Sequence, residues 1–189
     1  MTDQEKSASD LPEGKQTVLG LYVTAQEAYD LWKAAPEKVK ILDVRTPEEY
    51  IFVGHPDMAV NLPLIFPKYE WDANRRKYGV EPNVDFLADA QEFFAPDDTL
   101  LVMCRSGGRS AMVVNMLAEA GFNNAYTITD GMEGDKVKEP GSLYHGKRMK
   151  NGWKNAGLPW TYDIDPDLVW HPHEEKIEEI RTAPVSYTH

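Results

Sequence analysis

The stretch that decides the fold is LLVMCRSGGRS, residues 100–110, in which an apolar run ends at a cysteine and a loop with two glycines and two arginines follows. The apolar run predicts a buried strand, and the residues from Arg109 to Ala120 predict a helix. Cys104 therefore stands at the carboxyl end of a strand and faces a helix N-terminus, an environment that favours the thiolate. Cys104 is the only cysteine of the chain. It cannot form an intramolecular disulfide, so the pattern indicates nucleophilic chemistry.

Segments on both sides of this stretch alternate between strands and helices. Thr24 and Thr46 each begin a capping box ahead of a helix. Further helices are predicted at 83–94 and 109–120, and short apolar strands at 18–23, 39–44, 59–62, 99–103 and 125–129. This alternation is typical of an α/β fold with a mostly parallel sheet. Since the carboxyl ends of parallel strands share one edge, Asp43 and Arg45 are predicted to lie near the cysteine loop.

The loop after the cysteine has the composition of an anion-binding site. Its two glycines permit positive φ angles, so that successive N–H groups can turn inward. Its two arginines add permanent charge, and the following helix adds its positive end. The candidate substrate-binding positions are Arg105, Ser106, Gly107, Gly108, Arg109 and Ser110. A buried and inert cysteine before an ordinary strand–helix turn is the alternative, and the flanking arginines and glycines favour a functional cysteine over it.

The spacing between the cysteine and the last arginine of the loop separates two kinds of chemistry. Four residues lie between Cys104 and Arg109, one fewer than in phosphatases that use a cysteine nucleophile. A shorter loop makes a smaller cradle. Such a cradle suits a sulfur atom carried on the cysteine better than a tetrahedral phosphate.

The composition is that of a globular protein, and the charge limits the classes of partner that the chain is expected to bind. It has 189 residues with 42% hydrophobic content, which suits one domain with additions. The formal net charge of -11 argues against nucleic acid or an anionic membrane as the main partner, and no apolar run reaches the ~20 residues of a membrane helix. Residues 1–16 are predicted to be a disordered lead without the apolar core of a signal peptide. A cytoplasmic location is the expectation, or a periplasmic one if a leader has been removed.

Several motifs in a fixed order resemble those of a single-domain rhodanese. These motifs are LDVRTPEEY (42–50), GH (54–55), NLPL (61–64), the loop 104–110, DG (130–131), GW (152–153) and AGLP (156–159). The resemblance implies a rhodanese domain over residues 17–160, with a five-stranded, mostly parallel sheet between helices on both faces. It also implies a sulfurtransferase whose cysteine cycles through a persulfide. By matching position, Cys104 is the nucleophile, the residues after it form the active loop, and Asp43 and Arg45 help to hold that loop.

The resemblance also implies a transfer in two steps. The Cys104 thiolate attacks the outer sulfur of a donor such as thiosulfate, Arg105 and Arg109 neutralise the donor and the leaving anion, and cyanide or a thiol then takes up the sulfur. The two arginines favour an inorganic anionic donor over mercaptopyruvate. A sulfur carrier that hands the persulfide to a protein partner is the second hypothesis. A phosphatase or arsenate reductase of the same fold is the third, and a redox switch, which would lack an intramolecular resolving cysteine, is the fourth.

Two insertions and a C-terminal extension, residues 161–189, depart from the plain family pattern. The insertions, residues 64–82 and 133–150, both follow strands, so both are predicted to lie at the active edge of the sheet. Their aromatic and basic side chains predict a rim that steers an anionic donor or docks a protein acceptor, while solvated loops that pack on themselves are the alternative. The candidate rim residues are Trp71, Lys147, Arg148 and Lys150. His171 and His173 have no third ligand nearby, so neither a metal nor a cofactor is predicted.

Overall fold

A computed structural model describes residues 11–172; residues 1–10 and 173–189, with His173 among them, lie outside the described part. The α/β class is confirmed. In chain order the elements are β1 (Tyr22–Val23), α1 (Ala25–Ala34), β2 (Val39–Asp43), α2 (Pro47–Val53), β3 (Ala59–Asn61), β4 (Ile65–Asp72), β5 (Lys77–Pro82), α3 (Phe86–Phe93), β6 (Thr99–Met103), α4 (Gly108–Glu119) and β7 (Ala125–Ile128). One sheet has the strand order β1-β7-β6-β2-β3, and its neighbouring strands all run parallel.

Both capping boxes form at the helix starts. The Thr24 hydroxyl accepts a hydrogen bond from the Glu27 N–H, and the Thr46 hydroxyl accepts one from the Glu49 N–H. In return each glutamate carboxylate accepts a hydrogen bond from the N–H of its threonine. These reciprocal bonds satisfy N–H groups that the helix itself leaves free. Since β2 ends at Asp43 and α2 begins at Pro47, the start of α2 lies close to the carboxyl end of β2.

The central strands are buried on both faces. In β6, Leu100 and Val102 point to one face of the sheet and Leu101 and Met103 to the other, and all four are fully buried. The first pair packs with α3 and α4, and the second pair packs with α1 and α2. Because both faces are covered, the strand has a continuous apolar sequence instead of an alternating one. The predicted arrangement of a sheet between two helical layers is confirmed.

The carboxyl ends of three neighbouring strands meet at one edge. Asp43 at the end of β2 pairs with Met103 of β6 on one side and with Asn61 of β3 on the other. The Asn61 side-chain amide donates to the carbonyl oxygens of Asp43 and Arg45, at 3.0 Å each. Cys104 follows Met103 directly, so this register places the cysteine beside the end of β2.

The first insertion is a β-hairpin, whereas the sequence indicated only a long connection. Strands β4 and β5 pair antiparallel, and Trp71 lies opposite Tyr78 with 5.3 Å between the ring centroids. The Asp72 carboxylate accepts hydrogen bonds from the N–H groups of Asn74 and Arg75 and so closes the turn. Aromatic pairs across two strands stabilise such a hairpin. The many charged residues of the segment hid this cross-strand pairing in the sequence.

The chain segments before and after the sheet pack against it. Residues 11–16, which the sequence placed in a disordered lead, include a single 3-10 turn at Glu13–Lys15. At the other end, Thr161 pairs with His55, and the Leu168 carbonyl oxygen accepts a hydrogen bond from the Asn61 N–H at 2.7 Å. The described part of the extension therefore follows the outer edge of β3. No helix within residues 11–172 has the length and apolar character needed to cross a membrane.

Candidate active site

Cys104 lies directly after β6 and is 2% exposed. The Gly107 N–H donates a hydrogen bond to the Cys104 Sγ at 3.2 Å, and the Ser110 hydroxyl oxygen lies 3.7 Å from the same sulfur. That hydroxyl also donates to the Gly107 carbonyl oxygen at 3.0 Å, which fixes the first turn of α4 next to the sulfur. The first N–H groups of a helix have no intrahelical acceptor and carry a partial positive charge. They therefore favour negative charge on the sulfur.

Two glycines hold the loop against the end of β7. Gly107 has a φ of +99°, and a Cβ on it would overlap the Thr129 carbonyl oxygen. Gly131 has a φ of +61°, and a Cβ on it would lie 2.5 Å from the Cys104 carbonyl oxygen. Residues with a side chain rarely adopt such a backbone conformation, so both positions favour glycine. Gly108, in contrast, is the first residue of α4 and has no positive φ, so only Gly107 makes the turn that the sequence assigned to both glycines.

Arg109 is paired with a carboxylate and is not free to meet a donor. Its guanidinium donates to both oxygens of Glu49, at 2.6 and 2.7 Å. Burial opposes both charges, but the pairing outweighs it, so the pKa of Glu49 is lowered and the pKa of Arg109 is raised. Arg105 is exposed, and its side chain makes no hydrogen bond or ion pair within residues 11–172. Arg105 is therefore the arginine of the loop that remains open to an anion.

Glu49 is a site residue that sequence reasoning missed. In the sequence, Glu49 is marked only as the glutamate of the capping box of α2, and this position indicates a role in helix capping alone. In the structure one oxygen of Glu49 serves both purposes, because Oε2 accepts hydrogen bonds from the Thr46 N–H at 3.2 Å and from Arg109 at 2.6 Å. The start of α2 is thereby tied to the active loop.

Asp43 and Arg45 form a fully buried ion pair at the end of β2, with 2.6 Å between the Arg45 Nη2 and the Asp43 Oδ2. Burial opposes the charge on Arg45, but Asp43 outweighs it and raises the pKa of Arg45. Arg45 also donates to the carbonyl oxygens of Gly54 at 2.9 Å and of Glu49 at 3.4 Å. The pair thus fixes the last part of α2, and α2 presents Glu49 to Arg109. The sequence predicts that Asp43 and Arg45 help to hold the loop, and in the structure their connection to it runs through Glu49.

Lys15, from the segment before β1, extends to the same edge. Its Nζ donates to the Thr129 carbonyl oxygen at 2.9 Å and to the Asp135 carboxylate at 3.0 Å. Burial raises the pKa of Asp135, but the contact with Lys15 outweighs it and lowers this pKa overall. The stem of Lys15 packs against Gly107, the residue that donates to the Cys104 sulfur. No sequence signal marked Lys15, because a lysine in a polar segment is usually solvated.

The second insertion is attached directly to the active loop. The N–H groups of Glu133 and Gly134 donate to the Arg105 carbonyl oxygen at 3.0 and 3.2 Å. Arg148 donates from Nη1 to the Gly134 carbonyl oxygen at 2.7 Å, so this predicted rim residue helps to hold the insertion. The other candidate rim residues are exposed, with Lys147 and Lys150 on the same insertion and Trp71 on the hairpin.

These groups together suit attack by a sulfur nucleophile on a small anion. The Gly107 N–H and the N-terminus of α4 stabilise negative charge on the Cys104 sulfur. Arg105 adds an unpaired guanidinium that can bind anionic oxygens. Among the described residues, no three His, Cys, Asp or Glu side chains are grouped so that they could hold a metal ion.

Comparison with known proteins identifies the family. The sequence model of the rhodanese-like domain matches residues 24–137. The chain is 37% identical over 109 residues to the chloroplastic thiosulfate sulfurtransferase 16 of Arabidopsis thaliana, an alignment that covers 58% of this chain and 81% of that protein. It is 33% identical over 122 residues to the uncharacterized protein RP600 of Rickettsia prowazekii, covering 65% and 82%. The crystal structure of Rv0390 from M. tuberculosis superposes with a TM-score of 0.57 and 28% identity over 75% of this chain and 96% of that one. The chain therefore belongs to the rhodanese-like domain family, whose sulfurtransferase members support sulfur transfer as the general class of its function.

Proposed function

We propose that this chain moves sulfane sulfur from a small anionic donor, such as thiosulfate, to cyanide or a thiol through a persulfide on Cys104. The observation that carries the proposal is the position of the Cys104 sulfur, which accepts the Gly107 N–H at the N-terminus of α4. The Arabidopsis relative, by its name a thiosulfate sulfurtransferase, supports thiosulfate as the donor.

In the first step, the Cys104 thiolate attacks the outer sulfur of thiosulfate. A bond forms between Sγ and that sulfur, the sulfur–sulfur bond of thiosulfate breaks, and its electron pair leaves with sulfite. The N–H groups at the start of α4 stabilise the negative charge of the new persulfide. Arg105, the unpaired arginine of the loop, binds the oxygens of the donor and of the departing sulfite.

In the second step, the acceptor removes the outer sulfur. Cyanide or a thiolate attacks the terminal sulfur of the persulfide, the sulfur–sulfur bond breaks, and its electron pair returns to Sγ. Thiocyanate or a new small persulfide leaves, and the Cys104 thiolate is restored. Because the enzyme alternates between two covalent states, double-reciprocal plots at several cyanide concentrations should give parallel lines.

Steady-state kinetics of Arg105→Gln test the proposed handling of the donor. This variant should raise the KM for thiosulfate about tenfold, since it removes one charge-assisted contact to the donor. Lys38→Gln removes one positive charge from an exposed position directly before β2, at the opposite edge of the sheet, and is the control. Equal KM values for the two variants would overturn the role of Arg105, and turnover by Cys104→Ser would overturn the proposed function itself.

A sulfur carrier for a protein partner is the second candidate, and the hairpin favours it. Trp71, Tyr78 and Val80 share one face of the hairpin and are 57%, 59% and 58% exposed. Exposed apolar faces of this kind are typical of protein-binding surfaces. The double variant Trp71→Ala with Tyr78→Ala should then transfer less sulfur to proteins of a cell extract, relative to its thiosulfate:cyanide turnover. A ratio equal to that of the wild type would exclude the carrier hypothesis in this form.

A further inference from the structure

The second insertion, residues 133–150, is a hydrogen-bonded surface loop without a core of its own. The Val137 N–H donates to the Lys147 carbonyl oxygen, and the Gly146 N–H donates to the Val137 carbonyl oxygen, at 2.9 Å each. The Asn155 side-chain amide donates to carbonyl oxygens near both ends of the loop. The structure describes all residues of this insertion, and none of their apolar side chains is buried. Hydrogen bonds therefore shape the loop while its side chains stay available to a partner.

The insertion begins at the mouth of the active site. Cys104 is 2% exposed, whereas Arg105 is exposed, so the active loop meets solvent at Arg105. The Arg105 carbonyl oxygen accepts hydrogen bonds from the N–H groups of Glu133 and Gly134, at 3.0 and 3.2 Å. A protein that binds the insertion therefore lies next to this opening. Because the sulfur lies below the surface, such a protein reaches it only with a cysteine on a projecting segment.

The insertion is basic although the chain is acidic. It carries five basic and three acidic side chains, whereas the whole chain has a formal net charge of -11. One of the three acidic side chains, Asp135, is already paired with Lys15 at 3.0 Å. Four lysines of the insertion are exposed, namely Lys136, Lys138, Lys147 and Lys150. The insertion therefore has a local positive potential that attracts an anionic partner.

Exposed apolar side chains lie between these lysines in the sequence and favour a protein over a small anion. Leu143 is 90% exposed, Tyr144 is 49% exposed and Met149 is 46% exposed. A small inorganic anion gains nothing from apolar surface, whereas aromatic residues and methionine are enriched where proteins bind one another. The combination of charge and apolar surface fits a protein with an acidic face.

We propose that the second insertion is the docking surface for a protein sulfur acceptor with an acidic face. The proposal rests on the proposed function in its carrier form and adds the surface and the charge that select the partner. The lysines attract the acidic face, and the projecting cysteine of the partner loses its proton to solvent. Its thiolate attacks the terminal sulfur of the persulfide on Cys104. The sulfur–sulfur bond breaks, its electron pair returns to Sγ, and the partner leaves as a persulfide.

Three synthetic peptides of equal length test the charge of the partner. Each has one cysteine at its N-terminus, followed by leucines that alternate with glutamate, glutamine or lysine. The full chain is loaded with thiosulfate and freed from excess donor, and the rate of sulfur transfer to each peptide is measured at low ionic strength. The net charge of -11 by itself favours the lysine peptide. Docking on the insertion instead predicts that the glutamate peptide reacts about tenfold faster than the glutamine peptide, and that salt removes the difference.

The double variant Lys147→Gln with Lys150→Gln should lower the ratio of the glutamate to the glutamine peptide about threefold. Lys33→Gln with Lys38→Gln removes two exposed charges at the end of α1 and directly before β2, at the opposite edge of the sheet, and should leave this ratio unchanged. A ratio between peptides is used so that a general loss of activity in a variant cancels.

A wild-type protein without a preference for the glutamate peptide would overturn the docking surface. The same conclusion would follow if the Lys147→Gln, Lys150→Gln variant kept the wild-type ratio, including the case in which it is slowed only in sulfur uptake from thiosulfate. A wild-type protein that takes up no sulfur from thiosulfate would overturn the proposed function instead.

Discussion

Glu49→Gln removes the charge that holds Arg109 and keeps the size of the side chain. In the folded chain the guanidinium donates to both carboxylate oxygens, at 2.6 and 2.7 Å, and the Arg109 and Glu49 side chains are 21% and 23% exposed. An exposed ion pair contributes up to about 1 kcal/mol, and loss of one partner from a buried pair costs about 3–5 kcal/mol. This pair lies between the two cases. Glu49→Gln should therefore lower the free energy of unfolding by about 2 kcal/mol at neutral pH.

The same pair gives stability a pH dependence of definite sign. The pKa of Glu49 is lowered in the folded chain, so the unfolded state binds more protons as the solution becomes acidic. The contribution of the pair is fully present above the ordinary glutamate pKa of about 4.3 and is lost as the pH falls through the lowered value. Once Glu49 is neutral in the wild type, the stability difference from Glu49→Gln should approach zero.

Urea unfolding of both proteins between neutral and acidic pH measures this difference, and equal slopes confirm that the same transition is compared. Glu92→Gln removes an equal charge from an exposed position on α3 and should change stability by less than about 0.5 kcal/mol. A Glu49→Gln effect no larger than that of this control would refute the reasoning, as would an effect that is the same at every pH.

Two further variants test how the loop is held. Lys15→Met keeps the stem and removes the hydrogen bonds to the Thr129 carbonyl oxygen and the Asp135 carboxylate. It should therefore slow sulfur uptake from thiosulfate and cost about 1 kcal/mol of stability. Uptake at the wild-type rate would argue against this role. Gly131→Ala brings a Cβ to 2.5 Å from the Cys104 carbonyl oxygen, so it should lower the free energy of unfolding by about 3 kcal/mol and abolish sulfur uptake. Gly141 also has a positive φ but lies in open space, so Gly141→Ala should lower the free energy of unfolding by only about 1 kcal/mol. Equal costs in thermal unfolding for the two glycine variants would show that the close contact is unimportant.

Local signals in the sequence were enough to predict much of the fold and the centre of the site. The capping boxes at Thr24 and Thr46 lie within four residues of chain, and both form as predicted. The apolar run before Cys104 is buried on both faces, and its end falls at the sheet edge where parallel strands place functional groups. The positions of Asp43 and Arg45 followed from the same rule.

Contacts between distant segments could not be predicted in the same way. Glu49 and Arg109 are 60 positions apart, and each has a local interpretation that is complete without the other. Lys15 approaches β7 across more than a hundred residues of chain. The pairing of Trp71 with Tyr78 depends on the register of a hairpin whose turn has no glycine to mark it. For Glu49 and Lys15 the partner is set by tertiary packing, which local patterns do not encode.

The mass of the intact protein after incubation with thiosulfate tests most directly the claim that Cys104 carries the transferred sulfur. Cys104 is the only cysteine, so a gain in mass can be assigned by comparing the wild type with Cys104→Ser. The wild type should gain the mass of one sulfur atom, lose it again on addition of cyanide, and release one thiocyanate for each sulfur lost, while Cys104→Ser should gain nothing. Thiocyanate production without a sulfur adduct on the wild type, or an equal adduct on Cys104→Ser, would contradict the account.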